Sequence, residues 1–190
     1  MRCMICESLS LKHICKSCQK ELLSPSLYQR KILGKIPVYS FYKYQDIEPL
    51  LLTKHTDLGF YIYTILAQNS FAPFAHSFNY EGLACSVCID DHVQNGYSHT
   101  ALLNKYLSSK SIKPRYARLP AKSKVSYSGK AYQYRLLNPR NFQMKEFEEE
   151  DVIVIDDIIT TGLTLTQAVQ VLESKGKNVL FCLTLADARK

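Results

Sequence analysis

The chain has 190 residues, 46% of them hydrophobic, with 24 Lys and Arg against 17 Asp and Glu; this composition excludes disordered, collagen-like and single-helix classes. The longest mostly apolar run, Phe60 to Ala67, is far short of the roughly 20 residues a spanning helix requires, and no basic-then-apolar leader opens the sequence. A soluble intracellular protein is expected, so its seven cysteines should bind metal, do chemistry or pack rather than form disulfides.

The net charge of +7 is unevenly spread. Asn104 to Lys145 holds eleven Lys and Arg and no acid, Glu146 to Asp157 holds seven acids and no base, and residues 1–40 hold seven bases against two acids. A long basic stretch beside a carboxylate-rich strand end points to one surface for polyanions and another for a cation or hydroxyls.

In chain order, Cys3-x-x-Cys6 and Cys15-x-x-Cys18 come first, eight residues apart. Two such thiolate pairs close a tetrahedral site around Zn²⁺ at about 2.3 Å per bond. Residues 1–24 are too few to bury a core alone, so a small structural zinc knuckle or ribbon is expected here. A redox CxxC would normally follow a strand in a βαβ setting, and the paired spacing favours four thiolates over a set in which His13 replaces one. Pro25 and Gly34-Lys35-Ile36-Pro37 punctuate the link to the next segment. The expected organisation is a zinc-binding module and linker over 1–36 and a second domain over 37–190.

Val38 to Tyr44 reads as a strand. Asp46 and Asp57 are plausible N-caps for helical text over Ile47–Thr53 and on to Gln68. Ala84 to Ile89 reads as a buried strand; residues three apart in a strand face opposite ways, so Cys85 and Cys88 cannot readily share an ion and, with Cys182, read as small buried hydrophobes. Asp90-Asp91-His92 lacks a third spaced ligand and reads as a solvated strand end rather than a metal corner. Tyr97 to Leu107 has helical spacing.

Pro114, Pro120, Gly129 and Pro139 break the basic region from Lys110 to Arg140, so long loops are expected there. Rings alternate with charge along it: Tyr132 and Tyr134 among Arg115, Arg118, Lys122, Lys124, Lys130, Arg135 and Arg140. Cations that track phosphates and rings that stack on bases hold single strands without sequence preference; an ordinary solubilising surface is the competing reading.

The last quarter reads as strand, loop, helix and strand. Val152-Ile153-Val154-Ile155 is a β-branched, all-apolar run of the kind buried on both faces of a parallel sheet. Leu163 to Ser174 has helical apolar spacing with Gly176 as its stop, and Val179 to Leu185 is the next strand. This βαβ order places ligands at the carboxyl edge of the sheet. There Asp156 and Asp157 offer acceptors for vicinal hydroxyls, and the turn Thr160-Thr161-Gly162-Leu163-Thr164 offers hydroxyls and backbone N–H groups at a helix N-terminus for an anion. Hydroxyls beside a phosphate describe a ribose 5-phosphate. A Walker B strand also ends in acids, but no P-loop sequence stands upstream.

At residues 152–164 the sequence resembles the type I phosphoribosyltransferase superfamily, whose phosphoribosyl pyrophosphate (PRPP) motif is four hydrophobic residues, two acids and a Thr-rich turn. The resemblance implies an α/β fold with a parallel sheet, and PRPP accompanied by Mg²⁺ as ligand. An N-terminal CxxC pair set ahead of that motif resembles the ComF-type competence proteins. Leu52-Thr53-Lys54-His55 matches that family's apolar-Lys segment, and Arg135-Leu136-Leu137-Asn138 its Arg-x-x-Asn. Where it has Arg-Gly-Phe-Asn-Gln, this chain has Asn95-Gly96-Tyr97-Ser98-His99. The resemblance implies a cytoplasmic protein near the inner membrane that handles incoming single-stranded DNA in natural transformation, with other competence or DNA-uptake proteins as partners. It also places Lys54 and His55 on the pyrophosphate side of the site, against the plainer reading of a solvated connection. Thr160 stands where purine-salvage members carry an acid, and no acceptor-base pocket is identifiable, so binding ranks ahead of catalysis.

Overall fold

The computed structural model describes residues 1–89, 96–123 and 132–189. Chain order gives α1 (Lys16–Leu22), β1 (Tyr28–Ile32), β2 (Ile36–Lys43), α2 (Tyr44–Leu51), a 3-10 turn (Leu52–His55), α3 (Asp57–Asn69), α4 (Phe71–Ser77), β3 (Ala84–Cys88), α5 (His99–Lys105), β4 (Ile112–Arg115), α6 (Tyr132–Leu137), β5 (Asp151–Ile159), α7 (Leu163–Ser174) and β6 (Asn178–Asp187). The strands form one mixed sheet in the order β1-β2-β6-β5-β3-β4, with β1 antiparallel to β2 and the other pairs parallel.

Two cores sandwich the sheet. Ile153 and Ile155 of β5 join α2, α3, α4 and α5 on one face, while Val152 and Val154 join α7 on the other. This alternation is what a central strand apolar on both faces dictates. Through α5, β3 leads outward to β4; through α7, β5 leads the opposite way to β6. The strand order therefore reverses between β3 and β5, and the crevice beyond their carboxyl ends is where such sheets bind ligands.

The structure departs from the sequence-based elements in several places. Asp57 lies inside the first turn of α3 rather than capping it, and Thr56 stands at the N-cap without a side-chain bond; α2 begins at Tyr44 with Lys43 before it, so Asp46 is not its cap either. The basic region is not all loop: it contains β4, where Pro114 sits on an edge strand as its missing N–H requires, and α6. The expected boundary at residue 36 falls inside a β-hairpin, since Tyr28–Ile32 pairs with Ile36–Ser40. The cysteine-rich end is likewise joined to the main core, where Cys3, Ile14, Cys18 and Leu23 are buried in the same cluster as Phe41 and Phe71. Cys85 and Cys88 fall in opposite clusters and are both fully buried, as is Cys182. Asp90, Asp91 and His92 lie outside the described residues. Among the described residues no helix is long and apolar enough to cross a membrane.

Candidate functional site

β5 delivers Asp156 and Asp157 to the carboxyl edge, both almost fully buried, and strand geometry turns the two side chains to opposite faces. Asp157 meets the helices of the first core. Its Oδ2 lies 2.9 Å from the Lys54 Nζ and 3.4 Å from the His99 Nε2, and its Oδ1 accepts the Ile158 N–H at 2.8 Å. Burial works to raise its pKa, but Lys54 and His99 outweigh that and hold it well below the ordinary carboxylate range. Burial likewise works against the Lys54 charge, and Asp157 more than restores it. His99 is pushed down by burial, against the pull of Asp157.

Asp156 faces the other way. Burial, and then the Asp157 charge, push its pKa up to about 7, with Arg140 opposing; its Oδ1 accepts the Asp157 N–H at 2.9 Å. Two neighbouring acids are thus shifted in opposite directions because one has a lysine and a histidine on its oxygen and the other does not.

The turn after β5 is exposed at Thr160 and Thr161, and Gly162 stands at the N-cap of α7 without a side-chain cap. Its first N–H groups are therefore served only weakly from within, by a 3.4 Å Leu163 N–H to Thr161 Oγ1 contact, which suits an anion at the positive end of the helix. Gly162 has φ +83°, and a Cβ there would stand 2.9 Å from Ile32 Cγ2 of β1. A side chain at 162 would therefore enter the hairpin behind the loop. That hairpin also supplies Arg30. Its Nη2 donates to the Thr160 carbonyl at 2.5 Å, and its Nη1 lies 3.5 Å from the buried Asp187 at the end of β6.

Lys54 and His55 end the 3-10 turn before α3, and the fold brings Lys54 directly to the acids. Sequence reasoning misses Arg30, Asp187 and Gly59, none of which belongs to a recognisable spacing. Tyr97 and His99 stand out in the sequence only as departures from a family pattern.

The residues expected to hold nucleic acid divide. Arg115 makes a two-pronged pair with Glu149 at 2.9 and 2.6 Å. Arg140 is 9% exposed and sits with Asp156 and Asp157 rather than on a polyanion surface. Arg118 donates to the Glu146 carbonyl, Lys122 is exposed, and Tyr134 is 40% exposed. Lys124 and Lys130 lie outside the described residues, as do the side chains of Tyr132 and Arg135.

The Cys3, Cys6, Cys15 and Cys18 sulfurs all lie within 4.8 Å of one another, a set able to hold a metal ion. The Cys15 and Ile5 N–H groups point at the Cys3 sulfur at 3.3 and 3.5 Å, and backbone hydrogen bonds from Cys15, then Cys6 and Ile5, lower that thiol to about 6. Cys18 is raised by burial and by its thiol neighbours. Four thiolates this close repel one another, and a soft dication relieves the repulsion as it displaces their protons. His13 lies against the Tyr61 ring, 4.8 Å between centroids, outside the four-sulfur group.

No protein-family model and no curated protein matches the chain. Solved structures do. Among them are a hypoxanthine phosphoribosyltransferase from Staphylococcus aureus (18% identity, TM-score 0.40, 66% of this chain and 62% of that one) and the orotate phosphoribosyltransferase of Aeropyrum pernix (16%, 0.40, 90% and 80%). The Mycobacterium tuberculosis orotate phosphoribosyltransferase, in complex with Fe(III) dicitrate, is a third (14%, 0.41, 90% and 82%). The chain spans 62% of the length of the hypoxanthine enzyme. These likenesses are distant, and the site stands on its own residues.

Proposed function

We propose that the chain binds PRPP at the carboxyl edge of β5 and handles single-stranded DNA in natural transformation, the role implied by its resemblance to ComF-type competence proteins. The observation that supports the phosphoribosyl part is the juxtaposition of Asp156 and Asp157 with the uncapped start of α7 at Gly162. In this reading the acids accept the ribose hydroxyls, the Thr160–Thr164 turn takes the 5-phosphate on its N–H groups, and Lys54 and His55 face the pyrophosphate. Mg²⁺ accompanies PRPP and neutralises its pyrophosphate charge. Zn²⁺ on Cys3, Cys6, Cys15 and Cys18 has a structural role. Arg118, Lys122 and Tyr134, in the acid-free stretch, remain the described candidates for DNA.

The second reading is a salvage phosphoribosyltransferase, in which a base nitrogen bonds to C1 of the ribose as the pyrophosphate oxygen leaves. A salt titration separates the two. DNA handling predicts single-strand affinity that falls linearly with log salt at a slope near 0.7 per neutralised phosphate, and lower by about 1.4 in R118A/K122A, which loses two such contacts. Absence of DNA binding at low salt, together with pyrophosphate release from PRPP by a free base, would instead establish the salvage enzyme.

A further inference from the structure

Lys54 can serve Asp157 or an incoming pyrophosphate only if its own backbone is held still, yet the turn that carries it has no buried residue. Its hydrogen bonds to Leu50 and Thr56 are local. A tertiary one arrives from 43 residues away, where the Tyr97 hydroxyl donates to the Lys54 carbonyl at 2.8 Å. The contact exists because residue 59, in the first turn of α3, is glycine. A Cβ at Gly59 would collide with both the Thr53 carbonyl oxygen and the Tyr97 hydroxyl and stand 3.0 Å from the Lys54 Cα. The notch therefore admits turn and phenol together. The Phe60 ring packs edge-to-face with that of Tyr97, 5.8 Å between centroids, and holds the phenol in place, and burial pushes its pKa up to about 12, so it stays a donor.

We infer that Tyr97 is the positioning residue of the pyrophosphate arm of this site, acting through the Lys54 carbonyl and admitted by Gly59. The inference rests on the phosphoribosyl reading above. Phenylalanine would fill the same space and keep the contact with Phe60, so the hydroxyl alone carries the role. Its loss should weaken the grip on pyrophosphate and leave the 5-phosphate cradle at α7 untouched.

The test is calorimetric titration of the full chain and of Tyr97→Phe with two ligands, PRPP plus Mg²⁺ and ribose 5-phosphate. Tyr97→Phe should bind PRPP about fivefold more weakly, the equivalent of one lost hydrogen bond, and bind ribose 5-phosphate like the parent. Gly59→Ala should show the same split with a larger loss, and melting curves identify a variant that fails to fold. Equal weakening for both ligands would make Tyr97 a general packing residue and overturn the inference, as would an unchanged PRPP affinity. A parent chain that binds ribose 5-phosphate but not PRPP, or neither ligand, overturns the phosphoribosyl reading itself before any variant is compared.

Discussion

Asp156 and Asp157 are neighbours in one strand and titrate in opposite directions, which makes each a separate lever on pH. A buried carboxyl raised to about 7 keeps a proton that the unfolded chain releases near 4. The native state therefore binds the extra proton between those values, and the stabilisation from Asp156 is full at the acid end and lost as pH rises through about 7. Asp157, held low by Lys54 and His99, runs the other way: its contribution is present above the ordinary aspartate value and lost as pH falls. The melting temperature of Asp156→Asn minus that of the parent should accordingly increase from about pH 4.5 to pH 8, by roughly 2–4 °C for each kcal/mol of relief. A difference that stays flat over this range would show that Asp156 is ionised throughout.

β5, its turn and α7 were legible from the sequence, because a fully buried parallel strand is an apolar run whatever surrounds it, and the paired acids beyond it have no packing reason to be there. The hairpin of β1 and β2 was not: Tyr28–Ile32 alternates half-buried, exposed and buried positions too briefly to stand out, and its strand character comes from pairing with Ile36–Ser40. Its importance to the site, through Arg30 on the Thr160 carbonyl, depends on a contact across 130 residues. Arg30→Met, which keeps the apolar stem and removes the guanidinium, should weaken ribose 5-phosphate and PRPP binding together by roughly tenfold, since a charge-assisted bond to a carbonyl contributes about 1.5 kcal/mol. Unchanged affinity for both ligands would mean that the loop holds its shape without the hairpin.

For the whole molecule, the two-face architecture puts every element of the candidate site at one edge of the sheet, while the cysteine-rich end is built into the same core cluster as Ile153 and Ile155 of β5. The four-thiol spacing was readable, because metal geometry fixes it locally. Its union with the core was not, since Cys3, Ile14, Cys18 and Leu23 reach their partners only once α3 and β2 are in place. Loss of metal should consequently destabilise the entire chain in a single transition. Cys6→Ser should lose zinc by elemental analysis and melt at least roughly 10 °C lower, the equivalent of several kcal/mol for a domain of this size. Undiminished zinc content after removal of all four thiols would place the metal elsewhere. The charge census was legible only as a total: Arg115 pairs with Glu149 and Arg140 is buried beside Asp156 and Asp157, which no count of Lys and Arg along the chain reveals. The most direct measurement of all is titration of the parent and of Asp156→Asn/Asp157→Asn with PRPP and Mg²⁺. The double variant should bind at least tenfold more weakly, because the ribose hydroxyls lose the charged Asp157 acceptor and the Asp156 carboxyl; equal binding by the two proteins would contradict the phosphoribosyl site at β5.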